Sequence, residues 1–257
     1  MKSVRTVAEM KQVAQSHKVG LVPTMGAFHD GHLSLIRAAR EECDFVVVSL
    51  FLNPAQFGAN EDLDRYPRDQ ERDARLAEEE SVDVLFVPSP DEMYPDGFGT
   101  WVDVDAQGGE AAARPGHFRG VATVCLKLFN IVRPDVAYFG QKDAQQVAVL
   151  RRMVRDLNVP LELRVLPTVR DADGLALSSR NAYLTPAQRR EALALPRALE
   201  AGRTAADPVS AARAALNGLE PEYVDLLRVG EATLLTAATR VGTIRLIDNV
   251  VLEGELR

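Results

Sequence analysis

Cysteine is scarce in this 257-residue sequence, and its two cysteines, Cys43 and Cys125, lie far apart in apolar surroundings. Neither belongs to a C-x-x-C pair, so the sequence favours buried reduced thiols over a disulfide framework or a metal pair. Long hydrophobic runs are also missing, since no segment approaches the roughly 20 residues of a membrane-spanning helix. The opening stretch MKSVRTVAEMKQVAQ has no apolar core of signal-peptide length. We therefore expect a cytoplasmic protein without a membrane anchor.

Positive charge is not in excess either, because 30 lysines and arginines oppose 37 aspartates and glutamates, for a net charge of −7. This balance argues against nonspecific nucleic-acid binding as the main function. Any anionic ligand therefore has to be bound by local donors. With 46% hydrophobic and 26% charged residues, the composition is that of a globular protein with one large domain or two unequal ones.

Short apolar runs alternate with amphipathic stretches over the first two thirds of the chain. The run DFVVVSLFL is nearly all apolar and rich in β-branched residues, which is typical of a strand buried on both faces of a parallel sheet. The alternation indicates an α/β fold with a doubly wound, Rossmann-like parallel sheet. Strands are predicted over residues 19–22, 44–52, 83–87, 135–139 and 161–169, with helices over residues 33–40, 68–80, 121–132 and 143–157.

The pattern changes after about Asp171. We expect residues 1–170 to form the Rossmann-like domain and residues 171–257 to form a smaller α+β domain. Residues 88–115 are rich in glycine and proline and are predicted to be an irregular excursion with a short strand over residues 100–104. The elements predicted after the boundary are helices over residues 186–201 and 209–219 and antiparallel strands over residues 223–229 and 243–252.

The stretch PTMGAFHDGHL, residues 23–33, connects the first predicted strand of the sheet to a helix. The N-terminus of a helix attracts anions through its free N–H groups and its dipole. His29 and His32 stand three residues apart and share a face of the first turn, where each can donate to a phosphate oxygen. Gly31 between them leaves room for a close ligand. The alternative is a plain glycine turn that carries two surface histidines.

Polar residues also follow the other predicted strands, at the edge where open α/β sheets bind ligands. Lys142 begins a helix, where a cation is unfavourable for the helix dipole unless an anion is bound; the alternative is a surface lysine. Ser178, Ser179 and Arg180 offer two hydroxyls and a permanent cation that suit a triphosphate, or else a helix-capping serine pair.

Further polar residues are candidates for the rest of a substrate. The amides of Gln56 and Gln146 both donate and accept, which fits a ligand with hydroxyl and carboxylate groups, although either can be an exposed polar residue. Weaker candidates are the basic pair His117 and Arg119, which alternatively mark a turn and a helix start. Tyr66, just before the helix over residues 68–80, and Asp73, within it, are further weak candidates to face the pocket.

These candidates supply phosphate donors without an obvious nucleophile. The sequence has no G-x-S-x-G elbow, no Walker phosphate loop and no histidine–cysteine cluster with zinc spacing. Such a site suits adenylyl transfer, in which the substrate attacks the α-phosphorus while the protein positions the reactants and stabilises the departing pyrophosphate.

Five blocks of the sequence, in order, resemble the signature blocks of the pantothenate synthetase (pantoate–β-alanine ligase) family. They are PTMGAFHDGH, SLFLNPAQF, RPGHFRGV, YFGQKDAQQ and LALSSRNAYL, and the resemblance runs from about Gly20 to Leu184. The departures are mild: Phe28 replaces the usual leucine, Asp30 replaces the usual glutamate, and Ala55 stands in a variable position. None of them alters a proposed ligand-binding group.

The resemblance implies a two-step reaction. Pantoate attacks the α-phosphorus of ATP to give pantoyl adenylate and pyrophosphate, and the β-alanine amine then attacks the acyl carbon to release AMP and pantothenate. It also implies Mg²⁺ held mostly by phosphates and water, a cytoplasmic homodimer, and a small domain that closes over the site. No nucleic-acid or membrane partner is implied.

The resemblance also implies roles for individual residues. His32 is assigned as the proton donor and His29 as its phosphate-binding neighbour. Our mechanistic hypothesis adds Lys142 and Arg180 to this catalytic set, since these four side chains gain most as negative charge builds on the α-phosphate and the leaving pyrophosphate. Gln56 and Gln146 are assigned to pantoate, and Gln56 also to β-alanine. The implied ATP-binding residues are Met25, Gly26, Ala27, Phe28, His29, Asp30, Gly31, His32, Gly140, Gln141, Lys142, Asp143, Val169, Leu177, Ser178, Ser179 and Arg180.

Two other functions compete with this assignment. A nucleotidylyltransferase that transfers AMP to a phosphate-bearing acceptor would share the H-x-G-H turn, but it would need further cations, for which two glutamines substitute poorly. A noncatalytic nucleotide-binding module would need no acyl-acceptor pocket and would catalyse no pyrophosphate exchange. A tRNA synthetase is disfavoured by the acidic charge and by the lack of length for an anticodon-binding domain.

Overall fold

The computed structural model describes residues 1–13, 18–59 and 61–256. The strands are β1 (Lys2–Val4), β2 (Val19–Thr24), β3 (Phe45–Leu50), β4 (Val84–Phe86), β5 (Val136–Gly140), β6 (Glu162–Leu166), β7 (Pro221–Val229), β8 (Ala232–Val241) and β9 (Ile244–Glu253). The helices are α1 (Val7–Gln12), α2 (Asp30–Glu42), α3 (Gln70–Glu79), α4 (Pro90–Met93), α5 (Gly109–Ala113), α6 (His117–Val132), α7 (Ala144–Asp156), α8 (Pro186–Ala192), α9 (Ala194–Arg203) and α10 (Pro208–Ala215). Short 3₁₀ turns span Pro54–Gln56, Gln141–Asp143 and Ser179–Tyr183.

Six of the described strands form a parallel sheet in the order β1-β4-β3-β2-β5-β6. β2 and β3 pair residue by residue, from Val19 opposite Phe45 to Thr24 opposite Leu50, so the two strands end at the same level. The central residues of β3 are fully buried, as expected for a strand covered on both faces. The predicted α/β fold with a parallel, Rossmann-like sheet is confirmed.

The C-terminal end of α2 is held by an ion-pair network at Glu42. The Glu42 carboxylate accepts hydrogen bonds from Lys18 Nζ at 2.9 Å, from the Tyr138 hydroxyl at 2.9 Å and from Arg164 Nη2 at 2.9 Å. Burial acts to raise the pKa of Glu42, but these donors outweigh burial and lower the pKa to about 2. The network fixes α2, whose opposite end carries the two histidines of the predicted site.

A separate three-stranded antiparallel sheet follows in the order β7-β8-β9. Its apolar core includes Leu195 and Leu199 of α9 and Leu235 of β8. The sequence prediction missed β8 and paired residues 223–229 with residues 243–252, which was wrong because β8 lies between β7 and β9. Almost every residue of β8 is buried, so the strand lacks the alternating pattern that marks a half-exposed strand.

Several other predicted elements differ from the structure. Residues 100–104 form no strand, and the backbone N–H of Val102 donates instead to the Thr123 hydroxyl at 3.0 Å. The helix predicted over residues 186–201 is two helices, α8 and α9, which meet at Leu193. The short strand β1 was not predicted, because three residues carry too little periodic signal.

The chain divides into two compact units that interleave in sequence. The first unit comprises residues 1–105, 116–139 and 149–164, and the second comprises residues 106–115, 140–148 and 165–257. The predicted domains, residues 1–170 and 171–257, stay a prediction. The second compact unit also contains residues 106–115, 140–148 and 165–170, which that prediction placed in the first domain.

The segment over residues 106–115 is bound to the rest of the second unit by the buried carboxylate of Glu110. Glu110 accepts hydrogen bonds from Arg245 Nη1 at 3.1 Å and from the Tyr223 hydroxyl at 2.9 Å. Burial acts to raise the pKa of Glu110, but the Arg245 guanidinium outweighs it and holds the pKa below its usual value. The backbone N–H of Gly109 also donates to Asp225 at 3.0 Å. These contacts explain why residues 106–115 group with the C-terminal sheet.

Gly120 allows α6 to pack directly on the 3₁₀ turn Pro54–Gln56. A Cβ atom at this position would lie 2.2 Å from the carbonyl oxygen of Ala55. We therefore expect Gly120→Ala to destabilise the protein by about 1–3 kcal/mol by overpacking, although helix propensity alone would favour alanine by about 1 kcal/mol. Urea denaturation measures the change. Gly99→Ala is the control, because its Cβ would have no neighbour closer than 3.9 Å. A Gly120→Ala protein as stable as wild type would contradict this packing.

The Glu42 network predicts acid sensitivity. The folded-state pKa lies below the ordinary carboxyl value of 4.5, so the stabilisation is present above pH 4.5 and is lost as the pH falls towards 2. Lys18 and Arg164 are each over two-fifths exposed, so solvent screening reduces the contribution to about 1 kcal/mol. Glu42→Gln should lower the free energy of unfolding by that amount at pH 7, and the deficit should shrink below pH 4.5. The exposed Glu41→Gln is the control. A deficit independent of pH would contradict the assignment.

Candidate active site

The turn between β2 and α2 directs its backbone N–H groups onto a buried carboxylate. Gly26 has φ +87° and Ala27 has φ +53°, a left-handed pair that suits glycine best. Asp73 of α3 accepts from the N–H of Ala27 and from the N–H of Phe28, both at 2.7 Å, and is only 1% exposed. Burial raises the pKa of Asp73, although the two backbone donors favour its charged form. The sequence had suggested that Asp73 faces the pocket. In the structure its buried carboxylate lies beneath the turn and accepts hydrogen bonds from the turn's backbone.

The two histidines form a cap at the start of α2. His29 is the N-cap residue, and its Nδ1 accepts from the backbone N–H of Gly31 at 3.1 Å. His32 Nδ1 accepts from the backbone N–H of His29 at 3.4 Å, and the ring centroids lie 4.1 Å apart. Because both Nδ1 atoms accept, each neutral ring carries its proton on Nε2. Both imidazoles therefore present an Nε2–H donor.

The 3₁₀ turn after β3 carries a buried amide network. Asn53 Nδ2 donates to Gln56 Oε1 at 2.9 Å and to the carbonyl of Gly120 at 3.2 Å, while Asn53 Oδ1 accepts from the Tyr94 hydroxyl at 2.7 Å. Gln56 Nε2 in turn lies 3.3 Å from the sulfur of Met25. The structure therefore brings Gln56 beside the histidine turn, and it adds Asn53 and Tyr94 as the residues that orient it.

The weaker candidates of this unit have structural partners. His117 Nδ1 lies 2.8 Å from the carbonyl oxygen of Gln56, so Nδ1 carries the proton in this contact. The Arg119 guanidinium lies over the Trp101 ring, 5.2 Å from its centroid. Tyr66 is buried and meets Phe57 edge-on at 6.1 Å. His117 and Arg119 therefore contact different partners and do not form the shared basic site that the sequence predicted.

In the second unit, the turn Gln141–Asp143 leads directly into α7. Lys142 Nζ lies 3.3 Å from Asp143 Oδ2. Asn249 of β9, which is 2% exposed, contacts this turn with its side-chain amide. Sequence reasoning missed Asn249, because it lies more than 100 residues away in a segment where the resemblance was diffuse.

The other candidate segment of the second unit is a narrow loop. The N–H of Leu177 donates to the carbonyl of Val169 at 3.0 Å, and Gly174 at the tip has φ +92°. Ser178 Oγ accepts from the N–H of Arg180 at 3.3 Å, so it caps the 3₁₀ turn that follows, in line with the alternative interpretation of this serine pair. This cap leaves the Ser178 hydroxyl proton to be donated elsewhere.

Each unit brings part of the predicted residue set together. The first unit contains Met25, Gly26, Ala27, Phe28, His29, Asp30, Gly31, His32 and Gln56. The second unit contains Gly140, Gln141, Lys142, Asp143, Gln146, Val169, Leu177, Ser178, Ser179 and Arg180. Across the described residues, no three histidine, cysteine, aspartate or glutamate side chains are grouped as a metal site requires. None of the described helices is long and apolar enough to cross a membrane.

Residues 2–251 match the family model described as pantoate-beta-alanine ligase. The chain belongs to this family. A pantothenate synthetase of Roseiflexus castenholzii is 53% identical over 278 residues, covering 99% of this chain and all of the relative. A pantothenate synthetase of Chloroflexus aurantiacus is also 53% identical, covering 99% of each chain. Members of the pantoate–β-alanine ligase family are ATP-dependent ligases.

Solved structures of this ligase family share the fold. Pantothenate synthetase from Thermus thermophilus is 46% identical, with a TM-score of 0.95 over 99% of this chain and all of that one. The Francisella tularensis pantoate-beta-alanine ligase, solved as a complex with beta-gamma ATP and beta-alanine, is 34% identical, with a TM-score of 0.86 over 99% of each chain. The fold of this chain is therefore that of its family.

Asp73→Asn tests the support beneath the histidine turn. An asparagine of equal size keeps one oxygen to accept from one backbone N–H, but it places its NH₂ group opposite the other backbone N–H. Two donors then face each other, and a buried N–H is left without an acceptor. We expect a loss of about 1–3 kcal/mol in the free energy of unfolding, measured by urea denaturation. Asp69→Asn at the N-cap of the same helix is the control, since asparagine caps a helix as well as aspartate does. Equal stabilities of the two variants would contradict this role.

Proposed function

We propose that this chain condenses pantoate with β-alanine at the expense of ATP, through a pantoyl adenylate. The pantoate carboxylate attacks the α-phosphorus and pyrophosphate departs. The β-alanine amine then attacks the acyl carbon, AMP departs, and the amine loses a proton as the amide forms. Membership of the pantoate–β-alanine ligase family supports this reaction. The Francisella tularensis structure, a complex with beta-gamma ATP and beta-alanine, supports the same pair of substrates.

The observation that carries the residue assignment is that a backbone N–H group donates to Nδ1 of each of the two histidines. In the proposal, His29 and His32 present Nε2–H donors to phosphate oxygens of ATP, with His32 as the proton donor. Their Nδ1 atoms are already occupied by backbone N–H groups, so neither ring has to reorganise to donate. Fixed donors aimed at developing negative charge stabilise a transition state more than donors that have to reorient.

Lys142 and Arg180 are the proposed cationic residues. Negative charge builds on the pentacoordinate α-phosphate and on the leaving pyrophosphate, and both cations would gain interaction energy as it does. Two buried side-chain atoms in the same unit, Thr168 Oγ1 and Asn181 Oδ1, have no hydrogen-bond partner within the described part of the chain. They flank Val169 and Arg180 in sequence, as is expected where a polar ligand supplies the missing partners.

Gln56 and Gln146 are the proposed pantoate ligands, and Gln56 is also assigned to β-alanine. Asn53 already satisfies Gln56 Oε1, so the Gln56 amide is held in one orientation. Magnesium would accompany the triphosphate. Since no carboxylate cluster occurs among the described residues, phosphate oxygens and water are its proposed ligands. A homodimeric, cytoplasmic enzyme is likewise proposed, on the family resemblance.

Pantoate-dependent exchange of labelled pyrophosphate into ATP, measured without β-alanine, tests the reaction. Exchange that requires pantoate is expected, because adenylate formation is reversible until the amine attacks. Exchange without pantoate, or ATP binding without any exchange, would contradict the proposed first step.

The capping geometry provides variants that test the histidines without disrupting α2. His32→Gln keeps the standard N3 residue of a capping box, and His29→Asn keeps a favoured N-cap. We expect both proteins to fold as wild type and to lose about 100–1000-fold in exchange rate, by analogy with oxyanion donors. Arg37→Ala, an exposed position on the same helix, is the activity control. Near-wild-type exchange in His32→Gln would overturn its assignment.

A further inference from the structure

Asn249 holds the Gln141–Asp143 turn by three hydrogen bonds. Asn249 Nδ2 donates to the carbonyls of Gln141 and Lys142, both at 2.9 Å, and Asn249 Oδ1 accepts from Gln141 Nε2 at 3.0 Å. With the side chain 2% exposed, water does not compete for these bonds. One buried amide thus fixes two successive peptide groups.

The peptide groups held in this way determine where the next N–H groups point. A trans peptide is planar, and its N–H points opposite to its C=O. Because Asn249 binds the carbonyls of Gln141 and Lys142, the N–H groups of Lys142 and Asp143 are directed away from Asn249. The Asp143 N–H is used within the 3₁₀ turn, where it bonds the carbonyl three residues before it. A held backbone also fixes the direction in which the Lys142 side chain leaves it.

Asn249 is itself fixed by its neighbour Asp248. The N–H of Asn249 donates to Asp248 Oδ1 at 2.8 Å, and Arg170 binds the Asp248 carboxylate with two hydrogen bonds of 2.7 and 2.9 Å. Arg170 also donates to the carbonyl of Gly174 at 3.1 Å, within the loop that joins Val169 to Leu177. Two adjacent residues of β9 therefore hold both segments of the second unit that are proposed to bind ATP.

We propose that Asn249 is a positioning residue that aims the Lys142 N–H group and the Lys142 ammonium at the ATP phosphates. This inference rests on the proposed function for the identity of its ligand. The role of Asn249 is to hold the backbone, and the groups that touch the nucleotide belong to the turn. The five sequence blocks that resemble the family end near Leu184, well before Asn249. Asn249 also lies within a predicted strand and does not follow one, so the sequence did not identify it as a candidate.

The test compares nucleotide binding in Asn249→Ala and Asn249→Asp with binding in wild type. The probe is a nonhydrolysable β,γ-methylene ATP analogue, titrated calorimetrically. Asn249→Ala removes all three hydrogen bonds. Asn249→Asp keeps the side-chain volume but replaces the donating NH₂ group with a carboxylate oxygen, which repels the carbonyl oxygens of Gln141 and Lys142. We expect the Kd for the analogue to rise about tenfold or more in both variants, the loss expected when buried hydrogen bonds that hold a ligand-binding group are removed. Amide hydrogen exchange at Asp143, whose N–H is bonded within the 3₁₀ turn, should also accelerate.

Thr239→Val is the matched control. Thr239 is fully buried in β8, and its hydroxyl donates to the carbonyl of Glu220 at 3.1 Å, so the variant loses a buried hydrogen bond of the same sheet without touching either ATP segment. We expect its Kd to change less than about twofold. An Asn249→Asp protein that binds the analogue as wild type does, or no worse than Thr239→Val, would overturn the positioning role.

The proposed function and this inference fail in different ways. Wild-type protein that binds the analogue but shows no pantoate-dependent exchange would refute the proposed reaction, while the Kd comparison would still decide the role of Asn249. Wild-type protein that binds no nucleotide would overturn both. If Asn249→Ala does not fold, the equal-sized Asn249→Asp and the hydrogen exchange at Asp143 in that variant still decide the outcome.

Discussion

The parallel register of β2 and β3 is the constraint on which the first unit depends. Because Thr24 pairs with Leu50 at the last step of the register, the histidine turn and the Asn53–Gln56 turn leave the sheet at the same level. The contact between Gln56 and Met25 follows from this alignment. A shift of one residue would move every side chain of the strand to the other face and separate the two turns.

Both units support a candidate ATP-binding turn from behind with one buried polar side chain. Asp73 accepts from two backbone N–H groups beneath the histidine turn, and Asn249 donates to two backbone carbonyls beneath the Gln141–Asp143 turn. The chemistry of each support suits its task, since a carboxylate satisfies donors and an amide satisfies acceptors. In each case the residue that would meet the ligand is local to the motif, and the residue that fixes it comes from a distant element.

Sequence reasoning performed unevenly along the chain for identifiable reasons. The runs that became β3 and β4 were predicted because short, fully apolar, β-branched segments are typical of buried parallel strands. β8 was missed because its alanines, threonines and leucines are buried on both faces and show no period of two. Residues 100–104 have strand composition but no strand partner in the described chain. His117 was assigned to a basic spot, although its ring is committed to the Gln56 carbonyl.

The sequence alone determined the α/β class, the H-x-G-H turn and the family, because strand periodicity, glycine turns and short motifs are encoded by neighbouring residues. Tertiary structure alone decided which side chains orient that chemistry. The tautomer of His29 and His32 depends on backbone N–H groups brought to them by the start of α2, and the supports Asp73 and Asn249 lie 45 or more residues from the atoms they hold. Hydrogen bonds across such distances depend on how distant elements pack together, which the local pattern of residues does not encode.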